Sequence, residues 1–184
     1  MNQGGIRAID GSPDGAHYTF QGGAGENVAS LVAMCVAILL RRGQTVAFVE
    51  VLTGGMLSNL WHCEADVDRI LDGTLVISGG ETLWPLLGIT EVFLENFGAS
   101  SREVALAIAE GIRELTGSNF SIAVGGVADR RFARGNCTFW LAVRTPIRKI
   151  VQKIDVDATG RDLLRERACY AVCKIFLQIL FEEE

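Results

Sequence analysis

Glu50, Thr53, Gly54 and Gly55 form the stretch with the clearest chemical potential in this chain. They follow the apolar run Thr45-Val46-Ala47-Phe48-Val49 and precede a short apolar helix. A carboxylate at a strand end can act as a general base. A neighbouring threonine is a nucleophile only with such a base in reach. Glycines that open a helix expose backbone amides that hold an anion such as a phosphate. Each group also has a plainer reading. Glu50 is a buried carboxylate that hydrogen-bonds the turn, the preferred assignment, and the glycines serve the tight backbone alone. Glu50 and Thr53 are the candidate catalytic residues. Thr53, Gly54, Gly55, Ser78, Gly125, Gly126 and Arg161 are the candidate ligand contacts, for a nucleotide-like or phosphate-bearing small molecule.

Other reactive side chains carry less. His62 and Cys63 are neighbours, and neighbours on a helix point to different faces, so they make no dyad. The five cysteines are Cys35, Cys63, Cys137, Cys169 and Cys173. An odd count in a chain of this size, without a secretion signal, points to free thiols. Cys169 and Cys173 lie four apart on one helix face, but the two histidines, His17 and His62, offer no ligand spacing to complete a zinc site. No metal and no cofactor are expected. Arg130, Arg131 and Arg134 read as exposed loop residues.

The elements that position these residues follow from periodicity and breakers. A helix runs from about Glu26 to Arg42, with Arg41 and Arg42 in its last turn and Gly43 as its stop. Strand 44–51 follows, then the glycine turn, a short helix to His62, a loop at 63–68 and a strand at 70–78. Gly79-Gly80 breaks that strand, 81–87 is helical despite Pro85, and 90–97 is a short helix closed by Gly98. Ser101 to Thr116 is the clearest helix. Ser100 and Glu103 read as its capping box, Val104, Ile108, Ile112 and Leu115 as its inner stripe, and Gly117 as its stop. Phe120–Val124 is a strand ending at Gly125-Gly126, and 129–136 is a polar loop. Strands 138–144 and 147–156 form a hairpin turning at Thr145-Pro146. The last helix, 161–181, buries Leu164, Ala168, Val172, Ile175 and Ile179. Alternating helices and strands, closed by two adjacent strands, predict an α/β fold: a three-layer α/β/α sandwich with a mixed sheet. Residues 1–25 read as an N-terminal arm, with His17–Phe20 a short strand or a docked segment, and 26–184 as a single domain.

Composition narrows the class. With 184 residues, 49% of them hydrophobic, the chain is large enough for one sizeable core. A net charge of −5 argues against a broad nucleic-acid surface. The apolar run Ala29–Leu40 falls well short of the roughly 20 residues a membrane span needs. It has no basic segment before it and no small-residue cleavage site after it. The expectation is a soluble, cytoplasmic protein that binds neither membrane nor nucleic acid.

Several blocks, in order, resemble one family. Glu50-Val51-Leu52-Thr53-Gly54-Gly55 is similar to the A-E-S-C-T-G-G turn of the CinA C-terminal domain, the nicotinamide mononucleotide deamidase family. Ser100–Val127 resembles that family's S-E-E-V-A-x-x-M-A-E-G helix and its A-V-T-G-I-A-G-P strand end. Asn136–Ala142 resembles V-G-T-V-Y-I-A, and Gly160-Arg161 with Arg165–Ala168 resembles the G-D-R-x-x-V-R-x-R-A helix start. The likeness spans roughly residues 27–181. It implies the α/β/α fold, a homodimer, and hydrolysis of the carboxamide of nicotinamide mononucleotide. The departures fall on the chemistry. The attacking serine of the family maps to Val51 and the next cysteine to Leu52. Its tyrosine maps to about Ser78, its lysine to about Leu83, and the threonine of V-T-G to Gly125. A nucleophile and a proton acceptor are thereby replaced by side chains that cannot react, and the remaining members of such a unit do not make good the loss. The reading is a catalytically degenerate member acting as a binding or assembly module. The alternative is an amidohydrolase that recruits Glu50 with Thr53 or Ser78. A third possibility is a subunit whose pocket is filled by Val51, Leu52 and Leu83.

Overall fold

The computed structural model describes residues 7–8, 17–20, 27–78, 81–129 and 136–183. Seven strands make one mixed sheet: β1 (Arg7–Ala8), β2 (His17–Phe20), β3 (Val46–Glu50), β4 (Leu71–Val76), β5 (Phe120–Asp129), β6 (Asn136–Arg144) and β7 (Lys149–Asp157). Their order across the sheet is β1-β2-β7-β6-β5-β3-β4. β3 runs parallel to both β4 and β5. β5, β6 and β7 form an antiparallel meander. β2 pairs with β7 in parallel, so His17–Phe20 is a strand of the sheet.

The helices are α1 (Val28–Arg42), α2 (Met56–Trp61), α3 (Glu91–Phe97), α4 (Arg102–Thr116) and α5 (Arg161–Glu182), with a 3-10 segment at Glu81–Leu87 and a 3-10 turn at Val67–Arg69 inside the loop expected at 63–68. The alternation of side chains along each strand divides the core into two halves. On one face Val46, Phe48, Phe120, Ile122, Phe139 and Leu141 pack under α1, α2 and α5. On the other, Ala47, Val49, Ala123 and Ala142 pack under α4 and the 3-10 segment. The three-layer α/β/α sandwich with a mixed sheet is the observed architecture.

The helix ends follow their capping residues. Asn27 opens α1 by accepting from the Ala29 amide, and Gly43 closes it in the left-handed conformation. Thr90 opens α3 and Gly98 closes it. Three expectations need correction. The cap of α4 is Ser101, whose hydroxyl accepts from the Val104 amide, so the pair Ser100/Glu103 forms no box. Leu115 is 58% exposed, so the inner stripe of α4 ends at Ile112. β5 does not stop at Gly125-Gly126. Between the pairs Val124↔Leu141 and Val127↔Phe139, β5 advances one residue more than β6, and a bulge carries the strand on to Asp129. Gly125 is required there, since a Cβ would meet the Trp140 carbonyl oxygen at 2.9 Å. Of the loop expected at 129–136, the ends belong to β5 and β6. The rest, with Arg130, Arg131 and Arg134, lies outside the described residues, as do Gly79-Gly80.

Candidate functional site

The carboxyl ends of the parallel strands β5, β3 and β4 lie side by side. In open α/β sheets this is where a crevice forms outside the strand ends. Glu50 pairs with Val124 on one side and Val76 on the other. The ladder extends one step further: the Val51 amide donates to the Val124 carbonyl at 3.0 Å, and the Ile77 amide to the Glu50 carbonyl at 2.9 Å. The fold therefore brings the turn 51–55, Ser78 and Gly125-Gly126 to one end of the sheet. Ser78 is exposed there.

Glu50 is fully buried. Its carboxylate accepts from the Gly55 and Leu57 amides at 2.9 and 3.1 Å through one oxygen, and from the Ser58 amide at 2.8 Å through the other. These are the unsatisfied donors of the first turn of α2. Gly55, at the cap position of α2, has φ 93° and no side chain to cap with, so Glu50 supplies the cap from five residues upstream. A negative charge at a helix N-terminus is stabilised further by the helix dipole. Of the amides expected to hold a phosphate, that of Gly55 is thus occupied by the chain's own carboxylate, together with those of Leu57 and Ser58. Glu50 has no oxygen facing a ligand.

Thr53 is fully buried, and its hydroxyl has no hydrogen-bond partner among the described residues. Its carbonyl accepts from the Met56 amide at 3.2 Å to complete the turn. Gly54 has φ 62°, which favours glycine, and is exposed. The Arg165 guanidinium lies against Gly54, so near that a Cβ there would sit 3.4 Å from it. Arg165 stands one turn beyond Arg161 on α5. It lies against the turn, and the candidate ligand contacts read from the sequence did not include it. The spacing Arg161/Arg165 on one helix face was the available signal. Arg161 is exposed at the start of α5.

The apolar substitutions in the turn are used for packing. Val51 joins the core half beneath α4, and its neighbour Leu52 joins the half beneath α1 and α5. Each is half-buried. Three buried thiols, Cys35 on α1 and Cys169 and Cys173 on α5, belong to the core half under these helices. Burial pushes the Cys173 thiol up to about 12, against the opposing pull of the Trp61 indole. Burial also holds Cys35 and Cys169 far above the ordinary thiol value, with the nearby Cys173 adding to both and Glu50 adding to Cys169. All five cysteines are free, and Cys63 is the exposed one. Among the described residues no cluster of ligating side chains fits a metal ion, and no helix is long and apolar enough to cross a membrane.

A sequence profile of the CinA C-terminal domain matches residues 28–180. The chain belongs to the CinA C-terminal domain family. It is 42% identical over 105 residues to a putative competence-damage inducible protein of Bacillus pumilus, a match covering 56% of this chain and 25% of that one. It is 34% identical over 91 residues to a CinA-like protein of Fervidobacterium nodosum, covering 50% and 22% respectively. These matches span about a quarter of the curated relatives' length. Among solved structures, the competence or damage-inducible protein of Enterobacter asburiae superposes with a TM-score of 0.75 at 24% identity, over 84% of this chain and 99% of that one. A CinA superfamily protein of Klebsiella pneumoniae gives 0.75 at 22% identity, over 85% and 99%. At such identities the likeness is one of fold. The CinA fold is therefore common ground. What this chain does with the turn is a separate matter.

Proposed function

We propose that this CinA-family chain is catalytically degenerate and serves as a binding or assembly module. One observation carries the reading: the Glu50 carboxylate is spent on the Gly55, Leu57 and Ser58 amides, while the adjoining position that resembles the family's attacking serine is Val51. Amide hydrolysis needs a nucleophile, a proton acceptor and donors for the developing oxyanion. Here the acceptor and the amide donors neutralise each other. Val51 and Leu52 support the same reading, because each is an apolar side chain half-buried against the core, with no atom that could attack an amide.

The test is production of ammonia and nicotinate mononucleotide from nicotinamide mononucleotide, run beside an active family member. The expected result is no turnover. Turnover that survives purification and depends on this chain's residues overturns the reading. A ligand remains part of the proposal: a nucleotide-like or phosphate-bearing small molecule. Its charge falls to Arg165 and Arg161, since the α2 amides are occupied. Titration calorimetry with nicotinamide mononucleotide, repeated on Arg165→Ala, measures that contribution. The homodimer implied by family resemblance is likewise a proposal, read by sedimentation velocity.

The second reading, an amidohydrolase recruiting Thr53, draws on one observation: its hydroxyl is buried without a partner among the described residues. Thr53→Val separates the two. If Thr53 is packing only, the variant keeps the ligand affinity of the parent, with stability unchanged or raised by up to about 1 kcal/mol, because an unsatisfied buried hydroxyl is removed. If Thr53 is a nucleophile, residual turnover disappears.

A further inference from the structure

Helix α3 is apolar at four of seven positions, Val92, Phe93, Leu94 and Phe97, yet buries none of its residues. Val92 is 63% and Phe97 47% exposed. A single helix this short is not stable in water on its own propensity. What holds it is the Thr90 cap, the closing Gly98, the Phe93–Phe97 ring contact at 4.7 Å and partial packing of Phe93 and Leu94 on the core. Every other α-helix described here has buried side chains. Beside α3 opens a cleft of about 340 Å³, floored by Trp84 and Ile89 and walled by Pro85 and Leu94. That volume sits at the low end of ligand-sized pockets and accommodates a bulky apolar side chain.

Charge identifies the occupant. Glu91 stands in the cleft wall and Glu95 follows one turn on; both are exposed, and among the described residues neither takes part in an ion pair. The cleft residues include no cation. A two-fold contact between copies sets the same patch against itself, acid facing acid, which is unfavourable. We propose that α3 and the Trp84 cleft form a docking surface for an amphipathic helix of a protein partner, apolar on one side and flanked by Lys or Arg. An apolar anchor enters the cleft, and cations on either side meet Glu91 and Glu95, the helix-in-groove mode of recognition. The inference rests on the assembly-module side of the function proposed above, and not on the loss of catalysis.

The probe is a synthetic amphipathic peptide of 15 residues with Leu and Phe at helical spacing and Lys on both flanks. A twin carries Glu in place of Lys. Calorimetric titration of the full chain in 150 mM salt is expected to show at least tenfold tighter binding of the Lys peptide. The double variant Glu91→Lys/Glu95→Lys reverses that preference. Both sites are exposed, and an unchanged unfolding midpoint verifies the fold. Independently of any variant, amide shifts induced by the Lys peptide map to residues 84–97. The proposal is overturned by no binding, by a preference the double variant leaves in place, or by shifts mapping elsewhere. It is equally overturned if sedimentation shows a homodimer that the double variant dissolves, for then a second copy is the occupant. Ammonia release, assayed on the same preparation, reports on the catalytic reading alone.

Discussion

The two faces of the sheet are packed by opposite means. Under α1, α2 and α5 the core is aromatic: Trp61 meets Phe48 edge-on at 4.9 Å and Phe176 at 6.2 Å, and Phe176 meets Phe120 at 5.5 Å. Under α4, Ala47, Ala105, Ala109, Ala123 and Ala142 lie among aliphatic residues such as Val49, Val104, Ile108 and Ile112, and the backbones come close. The Ser121 hydroxyl of β5 donates to the Ala109 carbonyl of α4. Gly111 lets α4 touch the 3-10 segment so tightly that a Cβ would collide with the Leu87 carbonyl group. Large side chains fill volume and tolerate adjustment; small ones fix distance and tolerate little. The candidate turn lies where these two modes meet, with Leu52 serving the first and Val51 the second.

The largest expected effect is on the aromatic face. Trp61→Ala, at a fully buried position, is expected to cost about 3–5 kcal/mol, measured by denaturant unfolding. Trp84→Ala, at the open cleft on the other face, is expected to cost less than half of that. Equal losses would mean that the faces do not differ in the way drawn. Next comes pH. Burial holds Cys35, Cys169 and Cys173 as neutral thiols in the folded state well above the pH at which an ordinary thiol ionises. The unfolded chain ionises first as pH rises. Stability conferred by these thiols is therefore full below about pH 9 and falls above it, by about 1.4 kcal/mol per pH unit for each thiol. For Cys173 the fall continues to about 12. Replacing the three by alanine and valine is expected to flatten the alkaline limb of a stability–pH curve; an unchanged slope assigns alkaline unfolding to other groups.

Glu50→Gln is expected to cost about 1–3 kcal/mol, because a buried acceptor becomes half donor opposite the α2 amides. The loss appears in thermal unfolding whether or not any catalysis exists, so this variant cannot by itself assign a general base. A stability equal to the parent's would break the capping account. The smallest effect is on the alanine face. Gly111→Ala gains about 1 kcal/mol in helix propensity but must move Leu87. Overpacking costs about 1–3 kcal/mol, and a net destabilisation is expected by calorimetry.

Fold class and most element positions were legible because they are local. Gly43, Gly98 and Gly117 mark helix ends through their own backbone geometry. Ser100 and Ser101 are chemically the same, and only the direction of the incoming chain selects Ser101 as the cap. Leu115 keeps the period of α4, but period alone does not tell an exposed position from a buried one in the last turn. At the site, Glu50 was read correctly as a turn-binding carboxylate. Its three amide partners lie within eight residues, a span that sequence can reach. Arg165 against Gly54 and Leu87 against Gly111 are contacts between distant segments, which no local pattern encodes.

The parallel pairing of β2 with β7 has a consequence for how the chain assembles. Residue 17 finds its partner at residue 153, so β2 cannot pair until the residues between them have been made. Closing so long a loop is slow. β1 and β2 are therefore expected to be among the last strands to join the sheet, and in the interval the outer edge of β7 stands open to any other chain still being made nearby.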